Sequence, residues 1–345
     1  MSSFINDEVP SLKTGNNPEM FLTESSLLKF KTVEFIRKND LLMKSVFSYE
    51  YSFVANKDQM QKFLYKEFND MTILSHQRGR YSIENSKMLI AVIVEASLAK
   101  VTILTTSQEH SDIFSKFDNA FTPAGITIEW MFSSDGNSIN IPLNLDKLPI
   151  DEMYPFLKGE TLESYYERFI SSNAPVLLLI GPPGTAKTTF IRGLMNYAQT
   201  NAIVTYDQSI LEKDYVFSSW IENEEQNFFI IEDSDLLIKS RESGNSIVSK
   251  FLNVSDGLVS IPGKKMIFST NLTSTNDIDF ALTREGRCFD ILEFRLLTRD
   301  EAVTVANKIG VELKNPSKDS YSIAEIYHEK AVPNASKKRK FGFGV

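Results

Sequence analysis

Residues 176–188 constrain the fold of this 345-residue chain more than any other segment. The apolar run 176–180 is followed by Gly-Pro-Pro-Gly-Thr-Ala-Lys-Thr at 181–188, which opens an amphipathic stretch that ends at residue 197. This order predicts a buried strand, a tight loop and a helix whose N-terminus faces the loop. Backbone N–H groups of such a loop, with the positive helix end, bind phosphate. The segment therefore predicts a site for a nucleoside triphosphate.

Individual side chains of this loop have predicted contacts as well. Lys187 is expected to reach the β- and γ-phosphates, and the Thr188 hydroxyl is expected to bind Mg²⁺. The predicted nucleotide-binding set is Gly181, Pro182, Pro183, Gly184, Thr185, Ala186, Lys187, Thr188 and Thr189.

Ala186 stands where such loops usually have glycine. A Cβ atom at this point could cost about 1 kcal/mol, because glycine is normally used for positive φ or for close approach to phosphate. Two interpretations are open: a loop that has lost binding, and a working loop that tolerates a methyl group. We favour the working loop because every other element of the pattern is intact.

Composition is that of a soluble globular protein long enough for two domains, with 42% hydrophobic and 24% charged residues. A net charge of −8 disfavours a surface that coats nucleic acid. The single cysteine, Cys288, excludes an internal disulfide, and three scattered histidines predict no metal-ligand cluster.

Neither the N-terminus nor the apolar segments predict a membrane partner. Residues 1–17 are polar and do not resemble a secretory signal. The longest apolar stretch, 88–104, is interrupted by Glu95, Ser97 and Lys100, so it predicts a buried helix followed by a strand at 100–105. We expect a soluble, cytoplasmic protein.

The first 140 residues predict a separate α/β or α+β domain for a substrate or partner, with strands at 46–54, 101–105 and 126–132 and helices at 57–68 and 108–121. Residues 135–149, rich in Asn, Pro, Gly and Ser, are typical of a linker. The predicted domains are an N-terminal domain at 1–140, a linker at 141–160, a large nucleotide-binding subdomain at 161–292, a small helical lid at 293–332 and a basic, aromatic tail at 333–345.

A second buried strand of the large subdomain ends in two carboxylates. Four apolar residues, 228–231, precede Glu232 and Asp233. A parallel strand delivers such side chains to its carboxyl end, where α/β sheets bind ligands. One acid would complete the Mg²⁺ shell and the other would orient an attacking water. A strand that merely runs into an acidic loop is the alternative, but the phosphate-binding loop upstream favours a site.

Polar and basic residues in two later segments complete the predicted site. The strand 265–269 leads into Thr270 and Asn271, and the Asn271 amide is suited to sensing a γ-phosphate or positioning a water. Arg284 and Arg287 follow a short helical stretch. They are either surface cations or arginines supplied across a subunit boundary to neutralise charge on a transferred phosphoryl group.

Together these motifs resemble the AAA ATPases over residues 150–295: a Gly-Pro-Pro-Gly-Thr-x-Lys-Thr loop (Walker A), an acidic strand end (Walker B), a Thr-Asn sensor and an Ala-Leu-x-Arg-x-Gly-Arg segment. The resemblance implies an α/β P-loop fold with a parallel sheet and a helical lid. It also implies hydrolysis of ATP to ADP and phosphate with Mg²⁺, in a ring of six or seven copies.

Residue roles implied by this resemblance follow the matching positions. Thr188 and Glu232 would face the metal, Asp233 would activate water, Asn271 would be the first sensor, and Arg284 and Arg287 would be arginine fingers acting on a neighbour. The usual acid order is Asp-Glu, and the reversal here leaves open which acid is the base.

Within the AAA ATPases, further residues resemble the family of the mitochondrial AAA chaperone that translocates the Rieske iron-sulfur protein. This resemblance rests on the Glu232-Asp233 order, on Ser240-Arg241-Glu242 and on 251–257. Strand 101–105, helix 112–121 and strand 126–131 also resemble that chaperone's middle domain in order. The chain lacks that family's N-terminal transmembrane segment, which implies a soluble relative of bacterial or viral origin.

Three uses of ATP are open: remodelling or chaperoning of a protein, work on DNA as a motor or clamp-loader-like factor, and a bound, unhydrolysed nucleotide in a scaffold. Protein remodelling is favoured, and nucleic acid is not favoured. Ring unfoldases usually carry an aromatic-hydrophobic-glycine loop after the second core strand, whereas residues 207–213 have neither aromatic nor glycine. We therefore expect no processive threading.

Beyond residue 292 the sequence predicts a brief lid with helices at 299–309 and 322–328, and no clear second-sensor arginine. The tail, 336–345, is basic with Phe341 and Phe343 interleaved. A solvated tail is the favoured interpretation, and a docking peptide for a protein or nucleic acid, or a nuclear import signal, are the alternatives.

Overall fold

The computed structural model describes residues 24–40, 45–76, 79–106, 110–132, 138–235, 237–238, 262–272, 274–313 and 318–331. Its contacts divide the chain into two compact units, Met1–Gly125 and Ile126–Val345. The predictions for the tail, for Ser240-Arg241-Glu242 and for 251–257 lie outside the described residues.

The first unit is an antiparallel sheet with helices on both faces. Its strands follow the order β2-β3-β4-β5-β1-β6. Helices α2 and α3 cover one face, where Met60, Leu64 and Phe117 pack with strand residues, and Phe35 of α1 packs on Leu89 at the other. The elements are α1 Glu24–Asp40, β1 Phe47–Val54, α2 Lys57–Glu67, β2 Thr72–His76, β3 Arg80–Glu84, β4 Met88–Glu95, β5 Leu98–Thr105, α3 Ser111–Ala120 and β6 Thr122–Pro123.

The helix expected within 88–104 is wrong, because this stretch forms the hairpin of β4 and β5. Four of the five residues at 90–94, Ile-Ala-Val-Ile-Val, are β-branched, and β-branched side chains pack well on a pleated sheet. Ala96, with φ +51°, turns the chain between the paired residues Glu95 and Leu98. An uninterrupted apolar run does not distinguish a helix from a doubly covered strand.

The second unit is a sheet in the order β13-β9-β12-β11-β10-β7-β8. Every neighbouring pair from β13 to β7 is parallel, and only β8 runs antiparallel to its neighbour. The elements are β7 Thr127–Met131, β8 Ser138–Pro142, α4 Leu162–Ser171, β9 Val176–Ile180, α5 Lys187–Ala198, β10 Asn201–Thr205, α6 Gln208–Leu211, α7 Asp214–Glu222, β11 Gln226–Ile231, β12 Lys265–Thr270, α8 Phe280–Thr283, β13 Cys288–Glu293, β14 Leu297–Thr298, α9 Arg299–Ile309, β15 Ser320–Tyr321 and α10 Ile323–Ala331.

The apolar sequence of strand β9 requires cover on both faces of this sheet. All five of its residues are buried. Leu177 and Leu179 join the cluster that contains α4 and α5, while Leu178 joins the cluster that contains α7. A strand buried on both faces has no polar alternation, which is the pattern of the sequence at 176–180.

The first predicted domain boundary is corrected from residue 140 to residue 125. Strand β7 hydrogen-bonds in parallel with β10, so it extends the second sheet and is no part of a middle domain before it. Strand β8, inside the predicted linker at 135–149, pairs with β7, and Ile141 lies opposite Ile128. The pairing of β7 with β10 satisfies the backbone groups that β10 would otherwise leave open at a sheet edge.

The predicted linker at 141–160 is also part of the packed core. It forms short 3-10 helices, Leu145–Lys147, Asp151–Met153 and Pro155–Leu157. Met153 and Tyr154 are each only 1% exposed. A segment rich in turn-forming residues can be well ordered where its apolar side chains find a core, and sequence composition does not show that.

The lid helices lie close to their predicted positions. Helix α9 has the predicted bounds, and a capping box of Thr298 and Glu301 explains its start. Helix α10 begins one residue after the predicted start and extends to Ala331. Among the helices that the structure describes, none is both long and apolar enough to cross a membrane.

Replacing Gly193 in α5 should destabilise the second unit. A Cβ atom there would lie 2.3 Å from Pro149 Cγ and 2.6 Å from the Tyr166 hydroxyl oxygen. We expect Gly193→Ala to cost about 1–3 kcal/mol by overpacking, which outweighs the roughly 1 kcal/mol that alanine gains in a helix. Thermal unfolding followed by circular dichroism measures this. Gly125→Ala, which meets no atom within 4 Å, is the control and should not lower the midpoint. Equal midpoints for wild type and Gly193→Ala would contradict the packing.

Candidate active site

The 181–188 loop joins β9 to α5, and Lys187 is the first residue of that helix. Its Nζ atom donates to the carbonyl oxygens of Gly181 at 2.7 Å and Pro182 at 3.0 Å, and to Asn271 Oδ1 at 3.1 Å. Burial lowers the pKa of Lys187, against the raising effect of nearby carboxylates, the first of which is Asp233. The ammonium is thus held under the loop by three oxygen acceptors.

Gly181 and Gly184 have backbone conformations that explain their residue type. Gly181 has φ +140°, and a Cβ atom there would lie 2.1 Å from the Phe294 carbonyl oxygen. Gly184 has φ +78°, and its carbonyl accepts a 3.0 Å hydrogen bond from the Ala324 N–H at the start of α10. The lid helix therefore begins directly against the loop.

Ala186 adopts the left-handed conformation, with φ +71° and ψ 31°. Its carbonyl accepts from the Phe190 N–H at 2.9 Å and from the Tyr154 hydroxyl at 3.2 Å. The backbone strain that the sequence predicts at Ala186 therefore corresponds to a positive φ in the structure. These two hydrogen bonds hold the conformation despite the methyl group. That the loop binds a nucleotide stays a prediction.

Glu232 is buried, with 6% exposure, at the end of β11. Its Oε1 atom accepts from the Thr188 hydroxyl at 2.6 Å, and its Oε2 atom accepts from the Tyr206 hydroxyl at 2.5 Å. Burial and this bond to Glu232 raise the pKa of Tyr206. Both carboxylate oxygens are therefore engaged, and the second contact was missed by sequence reasoning. The available signal was a polar aromatic directly after a buried strand.

Asp233 differs from Glu232 in both exposure and backbone. Its side chain is exposed, and its φ is +51°. Asn271 Nδ2 donates to Asp233 Oδ1 at 3.2 Å, while the other amide atom of Asn271 accepts from Lys187. Asn271 thus links the lysine to the second acid, as expected for side chains at the carboxyl ends of neighbouring parallel strands.

The two arginines lie apart from this cluster in the single chain. Arg284 follows α8 and is exposed. Arg287 is half-buried, and its guanidinium donates to the Ala281 carbonyl oxygen at 2.7 Å. Neither arginine lines the cavity above the loop.

That cavity has a volume of about 1010 Å³. Most of the predicted site residues line it: Pro183, Gly184, Ala186, Lys187, Thr188, Thr189, Glu232, Asp233 and Asn271. Gly181 and Pro182 instead line a separate cavity of about 680 Å³. Thr185 is buried, and its hydroxyl donates to the Pro182 carbonyl oxygen. The wall of the larger cavity also contains apolar residues that sequence reasoning missed: Leu148, Met153, Ile323 and Tyr327. A polar floor beside an apolar wall suits a ligand with phosphates and a flat heterocycle.

Hydroxyl and carboxylate oxygens of Thr188 and Glu232 are the donor type that Mg²⁺ prefers. Within the described ranges, no group of three or more His, Cys, Asp or Glu side chains is placed to hold a metal ion. An ion at Thr188 and Glu232 would therefore need oxygen ligands from phosphate and water, which is how Mg²⁺ is commonly bound beside nucleotides.

Comparison with known proteins gives consistent matches to one family. Residues 177–296 match the sequence model of the ATPase family associated with various cellular activities (AAA). An AAA-ATPase of Arabidopsis thaliana is 25% identical over 237 residues, which cover 64% of this chain and 46% of that protein. A second is 27% identical over 240 residues, with 64% and 47% covered. The 26S proteasome regulatory subunit 6B homolog of Encephalitozoon cuniculi is 29% identical over 180 residues, with 47% and 46% covered. The chain spans about half the length of these relatives.

Substitutions of Ala186 should distinguish the two interpretations of the loop. Since Ala186 has a positive φ, glycine should fit without strain, and valine, which is β-branched, should not. Titration with a fluorescent ATP analogue should give Ala186→Gly a dissociation constant equal to or lower than that of wild type. Ala186→Val should have a dissociation constant about 5- to 150-fold higher, since such strain costs about 1–3 kcal/mol. If wild type does not bind and Ala186→Gly does, the loop has lost binding through its alanine.

Proposed function

We propose that the chain, through the AAA ATPase domain that residues 177–296 carry, binds ATP with Mg²⁺ and hydrolyses it to ADP and phosphate to remodel or chaperone a protein partner. The observation that supports this most is two sets of hydrogen bonds at one edge of the sheet. Lys187, Asn271 and Asp233 are linked on one side, and Thr188 and Glu232 on the other.

Binding follows from the arrangement around the loop. The N–H groups at the start of α5 and the Lys187 ammonium would hold the phosphates. The apolar wall of Leu148, Met153, Ile323 and Tyr327 would pack against the base. Thr188 and Glu232 would hold Mg²⁺, and the ion, when bound, neutralises charge on the phosphates.

Asp233 is the better candidate for the base of the two acids. Glu232 is buried and both of its oxygens accept hydrogen bonds from protein hydroxyls, so it has little freedom to take a proton from water. Asp233 is exposed, and one of its oxygens lies beside the Asn271 amide. A water held by Asp233 and Asn271 could be oriented and deprotonated at this point.

Arg284 is the better candidate for a finger that acts on a neighbouring copy. The Arg287 guanidinium already bonds the end of α8, which favours a role in positioning Arg284. Arg284 is exposed, and Phe280, at the start of the short helix α8 that precedes it, is 80% exposed. A cation and a benzyl group that both face solvent suit a contact with a second copy, in a ring of six or seven subunits.

Lys187→Ala should abolish ATP binding, whereas Arg284→Ala should bind ATP normally and lose turnover. An arginine finger supplies transition-state charge stabilisation worth about 10³–10⁵-fold in rate. Phosphate release measures turnover, and titration with labelled ATP measures binding. Mixing the two inactive variants should restore part of the activity, because an Arg284→Ala subunit keeps its loop and a Lys187→Ala neighbour keeps its arginine.

Arg299→Ala is the matched control, since Arg299 is an exposed arginine at the start of α9. It should turn over like wild type. Normal turnover by Arg284→Ala, or no recovery in a mixture that does assemble, would refute the shared site. ATP binding by wild type without any phosphate release would favour the scaffold.

A protein partner is supported by similarity rather than by geometry. One similar protein is named as a proteasome regulatory subunit. The likeness to the Rieske-translocating chaperone remains a proposal, and so does the role of the first unit as a substrate or partner domain. Net charge −8 disfavours DNA as the partner.

Residues 207–213 do not form an exposed gripping loop in the structure. Residues 208–211 form helix α6, in which Ile210 and Leu211 are 0% and 1% exposed. Asp207 caps this helix by accepting from the Ser209 N–H at 2.8 Å. The hydrophobic side chains of this segment stabilise the core, and they are not presented to a threaded chain.

We therefore expect no processive unfolding of a protein substrate. A tagged fluorescent globular protein, incubated with the chain and ATP, should keep its fluorescence while ATP is consumed, because no aromatic side chain of 207–213 grips it. An established ring unfoldase on the same substrate is the positive control. ATP-dependent loss of fluorescence would overturn this expectation.

A further inference from the structure

Asp235 belongs to the Glu232-Asp233-Ser234-Asp235 stretch but has no role in the site described above. It is half-buried, and it does not line the nucleotide cavity. We propose that Asp235 is a positioning residue that fixes Asn271, and through Asn271 the geometry between Lys187 and Asp233. This inference rests on the proposed function, since it concerns the same site.

The Asp235 carboxylate bonds the end of the neighbouring strand. Its Oδ1 atom accepts from the Asn271 backbone N–H at 2.7 Å and also from the Thr270 hydroxyl. One oxygen therefore holds both residues of the Thr-Asn pair. These are charge-assisted bonds, which are stronger than bonds between neutral groups.

Ser234 makes a second connection to the same strand, one step earlier. Its backbone N–H and its hydroxyl both donate to the Ser269 carbonyl oxygen, each at 2.9 Å. Together, Ser234 and Asp235 join the loop after β11 to the carboxyl end of β12. Only the Asp235 bonds reach Asn271 itself.

Fixing the Asn271 backbone determines where its side chain lies. The amide has to meet Lys187 Nζ at 3.1 Å on one side and Asp233 Oδ1 at 3.2 Å on the other. Both distances are near the upper limit for a good hydrogen bond. A small shift of the backbone would break one of them and release Asp233. Asp233 itself has a positive φ, so its backbone has little freedom to follow a displaced Asn271.

Asp235 could instead act by charge alone, because its carboxylate is near Lys187. Asn in place of Asp tests this, since the amide oxygen keeps an acceptor for Asn271 N–H and Thr270 while the negative charge is removed. Ala removes both. The comparison of Ala and Asn therefore separates positioning from electrostatics.

The experiment measures kcat, KM and the dissociation constants for ATP and ADP in Asp235→Ala, Asp235→Asn and Ser234→Ala. Asp235→Ala should lower kcat about 10- to 100-fold, as small misplacements in active sites do, while KM and ADP affinity change less than about 3-fold. Asp235→Asn should recover most of kcat. Ser234→Ala, the matched control, should lower the melting temperature and leave kcat unchanged.

Two outcomes overturn the inference. If Ser234→Ala and Asp235→Ala lower kcat equally, the bonds serve only the fold. If Asp235→Asn is as slow as Asp235→Ala, charge is what matters. Should Asp235→Ala fail to fold, Thr270→Val removes one donor to the same Asp235 oxygen. This variant should lower kcat by a smaller factor and leave KM unchanged. An unaltered kcat in Thr270→Val would refute the positioning role of Asp235.

Failure of the proposed function gives a different result. If wild type binds ATP without hydrolysing it, the ratio of the ADP to the ATP dissociation constant becomes the readout. Asp235→Ala should bring this ratio closer to 1 than in wild type and Ser234→Ala, because a displaced Asn271 no longer distinguishes the γ-phosphate. An unchanged ratio then refutes the positioning role by itself.

Discussion

The rest of the site depends on the three hydrogen bonds that the buried Lys187 ammonium donates. A charge removed from water is costly unless polar partners replace the water. Here the partners are two carbonyl oxygens of its own loop and the amide oxygen of Asn271, which follows the adjacent strand β12. The loop can therefore keep its shape only if β9 and β12 are neighbours and end at the same edge, and the strand order of the sheet meets that requirement.

From this point the site extends outward through shared bonds. Asn271 links Lys187 to Asp233, Asp235 holds Asn271, and Thr188 and Tyr206 hold Glu232. The carboxyl ends of β9, β10, β11 and β12 each contribute one residue or loop to this network. The first turn of α10 meets the 181–188 loop at Gly184, so this helix is connected to the loop by a backbone hydrogen bond.

Much of the second unit could be predicted from short-range patterns. The strands at 176–180 and 228–231 are short apolar runs that end at turn-forming or acidic residues, and the helix at 299–309 has a clear capping signal; the structure confirms all three elements. The hairpin at 88–104, strand β8 and the packed segment 145–157 could not be predicted in this way. Their conformation depends on tertiary contacts: β5 pairs with β1 as well as with β4, β8 pairs with β7 at the edge of the second sheet, and the segment 145–157 packs into the apolar core.

The sequence alone predicted a phosphate site at the 181–188 loop together with the acid pair 232–233 and Asn271, because phosphate binding needs particular residue types at fixed spacing along one chain. It also located Ala186 as the point of strain. Only the tertiary structure decided which contacts these residues make. The engagement of Glu232 by two hydroxyls, the exposure of Asp233, the bond of Arg287 to helix α8 and the bonds of Asp235 to Thr270 and Asn271 depend on the tertiary fold. Such contacts depend on distances in three dimensions, and spacing along the chain does not specify them.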